Sequence, residues 1–495
     1  MPTLADDTAL PTTNNGPSIW LLPVAVVLTA MAAGMGWGIR GQYGHETGAM
    51  IAGVLAGFTL VMLFGSKLTS LGAARAVALM ALGVSFGGSM TYGQTVGLTH
   101  DGPLIGNTAA LRWGLFGLFV KGGVWIGFAG AFLGMGLSGK RYRPLEMAIV
   151  IPALVGLFFV GVWALNRPYD PAHRVLPTLY FSDDWFWEPG SELKPRPECW
   201  GGLLVALAAL IGYLTLVRRD ALARNMALIG FLAGGIGFAS GQSVQAFHAW
   251  NRELVDSTLP EFLSPHVNWW NMMEITFGMV FGGILAAGLW FNRHLIARSD
   301  DCDKVELTAP WELALLAAHL TVLVDSGFLG LGNLRMFAEF GLMAAFYPII
   351  GILAGRYWPY LFALPVVMVP IAGKTLRELS FQNTEVSEPV GWVTLVALPL
   401  AIATVSAIAL ARRGRRGQSP VIFAATGLLL STWLYFGLNF AFFRVPWPWE
   451  TWTGRTPSGI IFMVCSICLS VAAVVCLFRT SRKHAADSEA IASGN

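Results

Sequence analysis

Apolar stretches close to the ~20 residues needed to cross a bilayer follow one another along almost the whole chain, separated by polar links. They cover residues 18 to 39, 46 to 65, 73 to 94, 114 to 137, 145 to 165, 199 to 217, 225 to 247, 270 to 292, 311 to 330, 335 to 354, 357 to 374, 390 to 411, 421 to 443 and 457 to 478. The pattern predicts an all-α fold, a polytopic transmembrane bundle of about 14 spans. A single membrane domain then runs from 18 to 478, with tails at 1 to 17 and 479 to 495. Residues 1 to 17 carry Asp6 and Asp7 and no Lys or Arg, so the first apolar run reads as a retained span rather than a cleaved signal.

Basic residues flanking the spans give the orientation. One side collects Lys140, Arg141 and Arg143, then Arg218, Arg219 and Arg224, then Arg293 and Arg298, then Arg412, Arg413, Arg415 and Arg416, and finally Arg479, Arg482 and Lys483. The positive-inside rule makes that side cytoplasmic, in a bacterial-type inner membrane, with both termini inside. The longer connections, 166 to 198, 248 to 269, 375 to 389 and 444 to 456, then face outward. They hold Trp185, Trp187, Trp250, Trp269, Trp447, Trp449 and Trp452. Two readings fit these indoles: an interfacial aromatic belt, or stacking platforms for a flat or sugar-like solute.

An internal repeat adds detail to the outer face. Gly93-Gln94-Thr95-Val96 followed by His100 matches Gly241-Gln242-Ser243-Val244 followed by His248, with identical spacing. Both end an outward-going span, and the following spans share Phe116-Gly117 leading to Gly122-Gly123 and Phe277-Gly278 leading to Gly282-Gly283. Weaker versions place Gly41-Gln42 before His45 and Glu46, Gly332-Asn333 before Arg335 and Glu339, and Gly437 before Asn439. These hairpins share one orientation, a parallel rather than an inverted duplication. A carboxamide beside a small residue suits recognition of a neutral polar solute, since it offers donors and acceptors without a charge to desolvate. As interhelical glue, each would contribute about 0.6 to 2 kcal/mol.

Ionisable residues mark the same face. The candidate solute-binding residues are Arg40, Gln42, His45, Glu46, Gln94, His100, Gln242, His248, Glu274, Asn333, Arg335 and Glu339. Arg40 and Glu46 stand out, because the glycine-rich run from Gly34 to Glu46 is too short to carry them away from the bundle and reads as a broken helix or re-entrant turn. Lys121, a third of the way along its span, calls for a buried partner. Glu274 and Asp325 match it in depth, and Lys121 with Asp325 forms the candidate coupling group. Two readings fit His319, deeper in the ninth span: a packing histidine, or a member of a proton path.

Composition excludes several classes. Among 495 residues, 55% are hydrophobic, 12% are charged and mean hydropathy is +0.59, against about 25% charged in soluble domains. The net charge of +3 is too small and too dispersed for nucleic-acid binding. No phosphate-binding loop, dinucleotide fingerprint, nucleophile elbow or His-Glu-x-x-His motif is present, and no cofactor is expected. Cys465 and Cys468 share an apolar helix face and read as packing; His45, His100 and His248 come from separate helices and define no metal site. The expectation is a permease or secondary transporter for a small polar, sugar-like solute, with the bilayer as its other partner. The rivals are an outer-face transferase or hydrolase with Glu46 or Glu274 as general base, and a non-catalytic scaffold or sensor. Oligomeric state is open.

Overall fold

The structure, a computed structural model, describes residues 21–44, 47–88, 92–182, 196–298, 303–325, 346–443 and 451–493. His45, Glu46, Trp185, Trp187, Cys302, Asn333, Arg335, Glu339, Trp447 and Trp449 lie outside the described residues, as does the segment 1 to 17. The described chain is helical, with one isolated bridge between Asp170 and Val175 and no strand among the described residues.

In chain order the helices are α1 (Leu21–Arg40), α2 (Ala49–Phe64), α3 (Ser70–Gly87), the short α4 (Gly93–His100), α5 (Thr108–Leu137), α6 (Pro144–Leu165), α7 (Trp200–Gly212), α8 (Ala221–Trp250) and the short α9 (Arg252–Thr258). They continue as α10 (Trp269–Asn292), α11 (Ala309–Val324), α12 (Phe346–Ala354), α13 (Trp358–Gln382), α14 (Glu388–Gly414), α15 (Pro420–Phe443) and α16 (Thr456–Ser493). Twelve helices among the described residues are long and apolar enough to cross a membrane, and the chain is a multi-pass α-helical membrane protein. The expected ninth and tenth spans correspond to α11 and α12, whose described parts are 16 and 9 residues long.

Six helices form a closed ring. α1 packs on α2, α2 on α3, α3 on α5, α5 on α8, α8 on α10, and α10 returns to α1. Each neighbour runs antiparallel to the last, as the paired residues show: Gly36 meets Ala52, Gly53 meets Ala81, Gly83 meets Ala129, Gly134 meets Ala223, Gly241 meets Met273, and Gly278 meets Gly34. Small residues therefore line all six seams. Lipid tails give helices no hydrophobic reason to associate, so contact depends on close van der Waals approach, which a missing Cβ permits. At the α5–α8 seam a side chain on Gly234 would run into the Gly122 carbonyl.

The axis of the ring is filled by aromatic side chains. Trp37 from α1 meets Trp125 at 4.9 Å and Phe277 at 4.5 Å, both edge to face, and Phe238 stacks on Phe277 at 4.7 Å and 9°. Phe86 packs on Phe128 below them, at 4.6 Å. The remaining helices surround the ring: α6 and α7 pair beside α5, α15 lies on α2 and α3, α16 on α1 and α15, and α11 to α14 form a flank joined through α3, α6 and α15.

Several elements run past the expected boundaries. α13 continues to Gln382, into the stretch expected as the outer connection 375 to 389, and α16 reaches Ser493, beyond the expected tail boundary at 479. Hydropathy marks the apolar core of a helix, whereas backbone hydrogen bonding carries the helix into the polar zone on either side. α13 and α14 contain wide turns at Phe362–Val366, Arg377–Gln382 and Trp392–Ala397, the first holding Pro365. A proline ring removes one amide donor and crowds the preceding turn, which such a turn accommodates.

Candidate functional site

Where the chain leaves α1, its last carbonyl, on Arg40, accepts the Tyr43 amide at 2.8 Å, and Gly44 reverses the direction at φ 95°. That conformation favours glycine. The turn is clamped from the second flank: Lys374 of α13 donates to the Gln42 carbonyl, and the Tyr43 hydroxyl lies 3.1 Å from Thr375 and bonds Asn439. Gln42 thus contributes through its backbone.

The Arg40 side chain turns into the top of the ring, only 2% exposed. It donates to Glu274 Oε1 of α10 at 3.3 Å and to the Tyr92 hydroxyl. Its guanidinium also stands over Trp37 at 4.9 Å and over Tyr92 and Trp125 at 5.6 Å each, so it rests on the aromatic plug. Glu274 is equally buried and accepts from Asn271 Nδ2 at 3.1 Å and from Trp270. Asn271 also donates to the Gly38 carbonyl at 2.9 Å, tying α10 to α1, while its own Oδ1 is buried without a hydrogen-bond partner among the described residues. Arg455, before α16, is near enough to act electrostatically on Glu274.

Gly41 makes this pairing possible. A Cβ at that position would overlap the Glu274 carboxylate, so the glycine next to Arg40 leaves the space that its counter-charge fills. The glycine-rich run was legible as a place of close approach; what approaches is a carboxylate from α10.

Lys121 does not meet Glu274 or Asp325, and that expectation is corrected. Its ammonium lies 2.7 Å from Glu198 Oε1 and 2.7 Å from Thr95 Oγ1. Glu198 Oε2 accepts the Phe181 amide at 2.9 Å and the Trp200 indole at 3.3 Å, and Thr95 donates to the Phe181 carbonyl at 2.6 Å. The connection expected as an outer loop thus folds back on the ring with Phe181 and Ser182 buried, and Glu198 supplies the missing partner. Asp325 is buried at the end of α11, a helix that packs on α12 and α13.

The two copies of the repeat meet each other but are not equivalent. Gly93–His100 is a separate helix, whereas Gly241–His248 is the continuous end of α8. Gln242 donates to Thr99 Oγ1 at 2.6 Å, and Trp250 donates to the Thr99 carbonyl at 2.8 Å. Gln94 instead accepts the Arg196 amide at 3.0 Å. His100 bonds the Val96 carbonyl at 2.9 Å and has its ring edge-on to Trp270 at 6.3 Å, which places it beside the Glu274 group. His248 stacks on Trp269 at 4.3 Å, with Asp256 3.7 Å away. No group of three or more His, Cys, Asp or Glu able to hold a metal occurs among the described residues.

Of the expected site residues, then, Arg40 and Glu274 come together directly, His100 lies near them, and Gln42, Gln94, Gln242 and His248 hold the surrounding frame. Tyr92 and Asn271 were not anticipated. Asn271 carried a usable signal, since it precedes Glu274 by three residues and so shares its helix face. Compared with protein families, curated proteins and solved structures, the chain matches none.

Proposed function

We propose that the protein is a permease or secondary transporter for a small, neutral, polyhydroxylated solute, with Arg40, Glu274, Asn271 and Tyr92 as its binding group. The observation that carries this reading is a buried, hydrogen-bonded Arg–Glu pair at the head of a ring whose axis is filled by aromatic side chains. Two ions taken out of water are stabilised no better than well-packed apolar side chains of the same size. A carboxylate, a guanidinium fork, an amide with a spare acceptor and flanking indoles are the groups that recognise hydroxyls and the apolar face of a sugar-like ring. The Trp37, Trp125 and Phe277 layer then acts as the gate below the site. The parallel repeat and a count of fourteen spans belong to the same proposal.

The test is uptake into proteoliposomes of labelled hexoses, pentoses and polyols by the wild type and by Glu274→Gln. At least one solute class should enter through the wild type and enter at least about tenfold more slowly through the variant, the loss of one charged hydrogen bond. Equal behaviour of the two proteins toward every class rejects the assignment. Exchange that survives in Glu274→Gln while accumulation is lost identifies Glu274 as the proton carrier.

Orientation is tested separately. In a background freed of native cysteines, Ser257→Cys on α9 should react from outside with a membrane-impermeant thiol reagent, and Ser419→Cys should react only after permeabilisation. Both positions lie in connections between the membrane-length helices. The opposite labelling reverses the proposed topology, in which both termini are cytoplasmic.

A further inference from the structure

We propose that the cleft between α11, α13 and α14 binds an anionic glycerophospholipid. The cleft encloses about 260 Å³, with Leu313, Leu316, Leu361 and Ile408 as walls and Tyr357 and Arg412 among its polar lining. Arg412 lies one turn beyond Ile408 on α14 and is exposed. The volume is below that of a typical site for a whole small molecule and fits a stretch of one acyl chain. The chain continues outside the cleft over apolar surface, since Leu313 is 65% exposed, and Trp311, 68% exposed, supplies the amphipathic ring found at headgroup level.

Charge selects the headgroup. Several basic side chains at this end of the bundle are engaged elsewhere. Arg141 pairs with Glu306, Arg218 with Glu146, Arg75 donates to the Lys304 carbonyl, and Arg293 lies on the Trp290 ring. Arg412, Arg413, Arg415 and Arg416 form no ion pair among the described residues. Arg412 lines the cleft and Arg413, Arg415 and Arg416 follow within four residues, so a cluster of positive charge stands beside the apolar walls, where a phosphate is attracted while an acyl chain lies in the cleft. The one carboxylate in the lining, Glu312, is turned to the start of α13, where it accepts the Tyr357 and Trp358 amides at 2.6 and 2.5 Å. A soluble anion would gain the arginines alone; a lipid gains the arginines and the apolar walls together.

Native mass spectrometry of the full-length protein in mild detergent tests this, with phosphatidylglycerol and phosphatidylcholine of identical acyl chains as probes. Phosphatidylglycerol should bind the wild type more tightly. Arg412→Gln should weaken it about fivefold, the effect of one basic residue near an anionic surface, and leave phosphatidylcholine unchanged. Ile408→Trp, which fills the cleft, should weaken both lipids; if it does not fold, Arg412→Gln alone decides. Arg219→Gln, exposed at the same end but away from the cleft, should change neither. The proposal is overturned if the wild type does not prefer phosphatidylglycerol. It is overturned equally if Arg412→Gln keeps the preference, or if Arg219→Gln reduces it as much as Arg412→Gln does.

Discussion

Glu274→Ala should destabilise the protein by about 3 to 5 kcal/mol in mixed-micelle unfolding, because it leaves the Arg40 guanidinium at the head of the ring without its carboxylate. Replacing both charges, Arg40→Met with Glu274→Met, should recover most of that loss, since methionine adapts to the space between Trp37, Trp125 and Tyr92. Solute uptake should stay abolished in the double variant. This combination of restored stability and absent transport separates a binding group from a structural strut; a double variant that folds and still transports shows that the pair is only a strut. Gly41→Ala should resemble Glu274→Ala, because its methyl group occupies the place of the carboxylate.

The second large effect belongs to Lys121. Glu198→Ala should also destabilise by about 3 to 5 kcal/mol, leaving the ammonium buried with Thr95 but without its counter-charge. Lys121→Met with Glu198→Met should restore folding, as at the first pair, but here uptake should be retained to within about a few fold. The network around Lys121 ties the segment near Phe181 to the ring, and its members are hydrogen-bonded to one another. Loss of gradient-driven accumulation with exchange intact in the double variant would return Lys121 to a coupling role.

The contrast between these two pairs shows what the chain makes legible. Helix positions follow from hydropathy because lipid obliges each backbone segment to satisfy its own hydrogen bonds, so α1 to α3, α5 to α8 and α10 lie close to where the apolar runs place them. Arg40 was legible because a short turn holds it at the bundle. Its pairing with Glu274 was not, because nothing in linear order says that α10 closes the ring against α1. Lys121 was legible as a cation needing a partner, and depth along the spans suggested the wrong one. Its true partner, Glu198, stands at the edge of a connection that looked solvated, and only tertiary folding brings that segment down to Thr95. The repeat illustrates a further limit: identical letters at identical spacing give Gln94 and Gln242 different partners, because one copy follows a break and the other continues a helix.

The closed ring also has a consequence for synthesis. Arg40 and Glu274 are 234 residues apart, and at about 5 to 20 residues per second roughly 10 to 50 seconds separate the emergence of the guanidinium from that of its partner. During that interval the first helix sits in the insertion machinery or the bilayer with its cation at the terminal turn, where a long side chain reaches the interface and water. Arrival of α10 then draws the side chain inward as the sixth wall of the barrel of helices is set in place. The last helix of the ring to be synthesised is thus the one that neutralises the first.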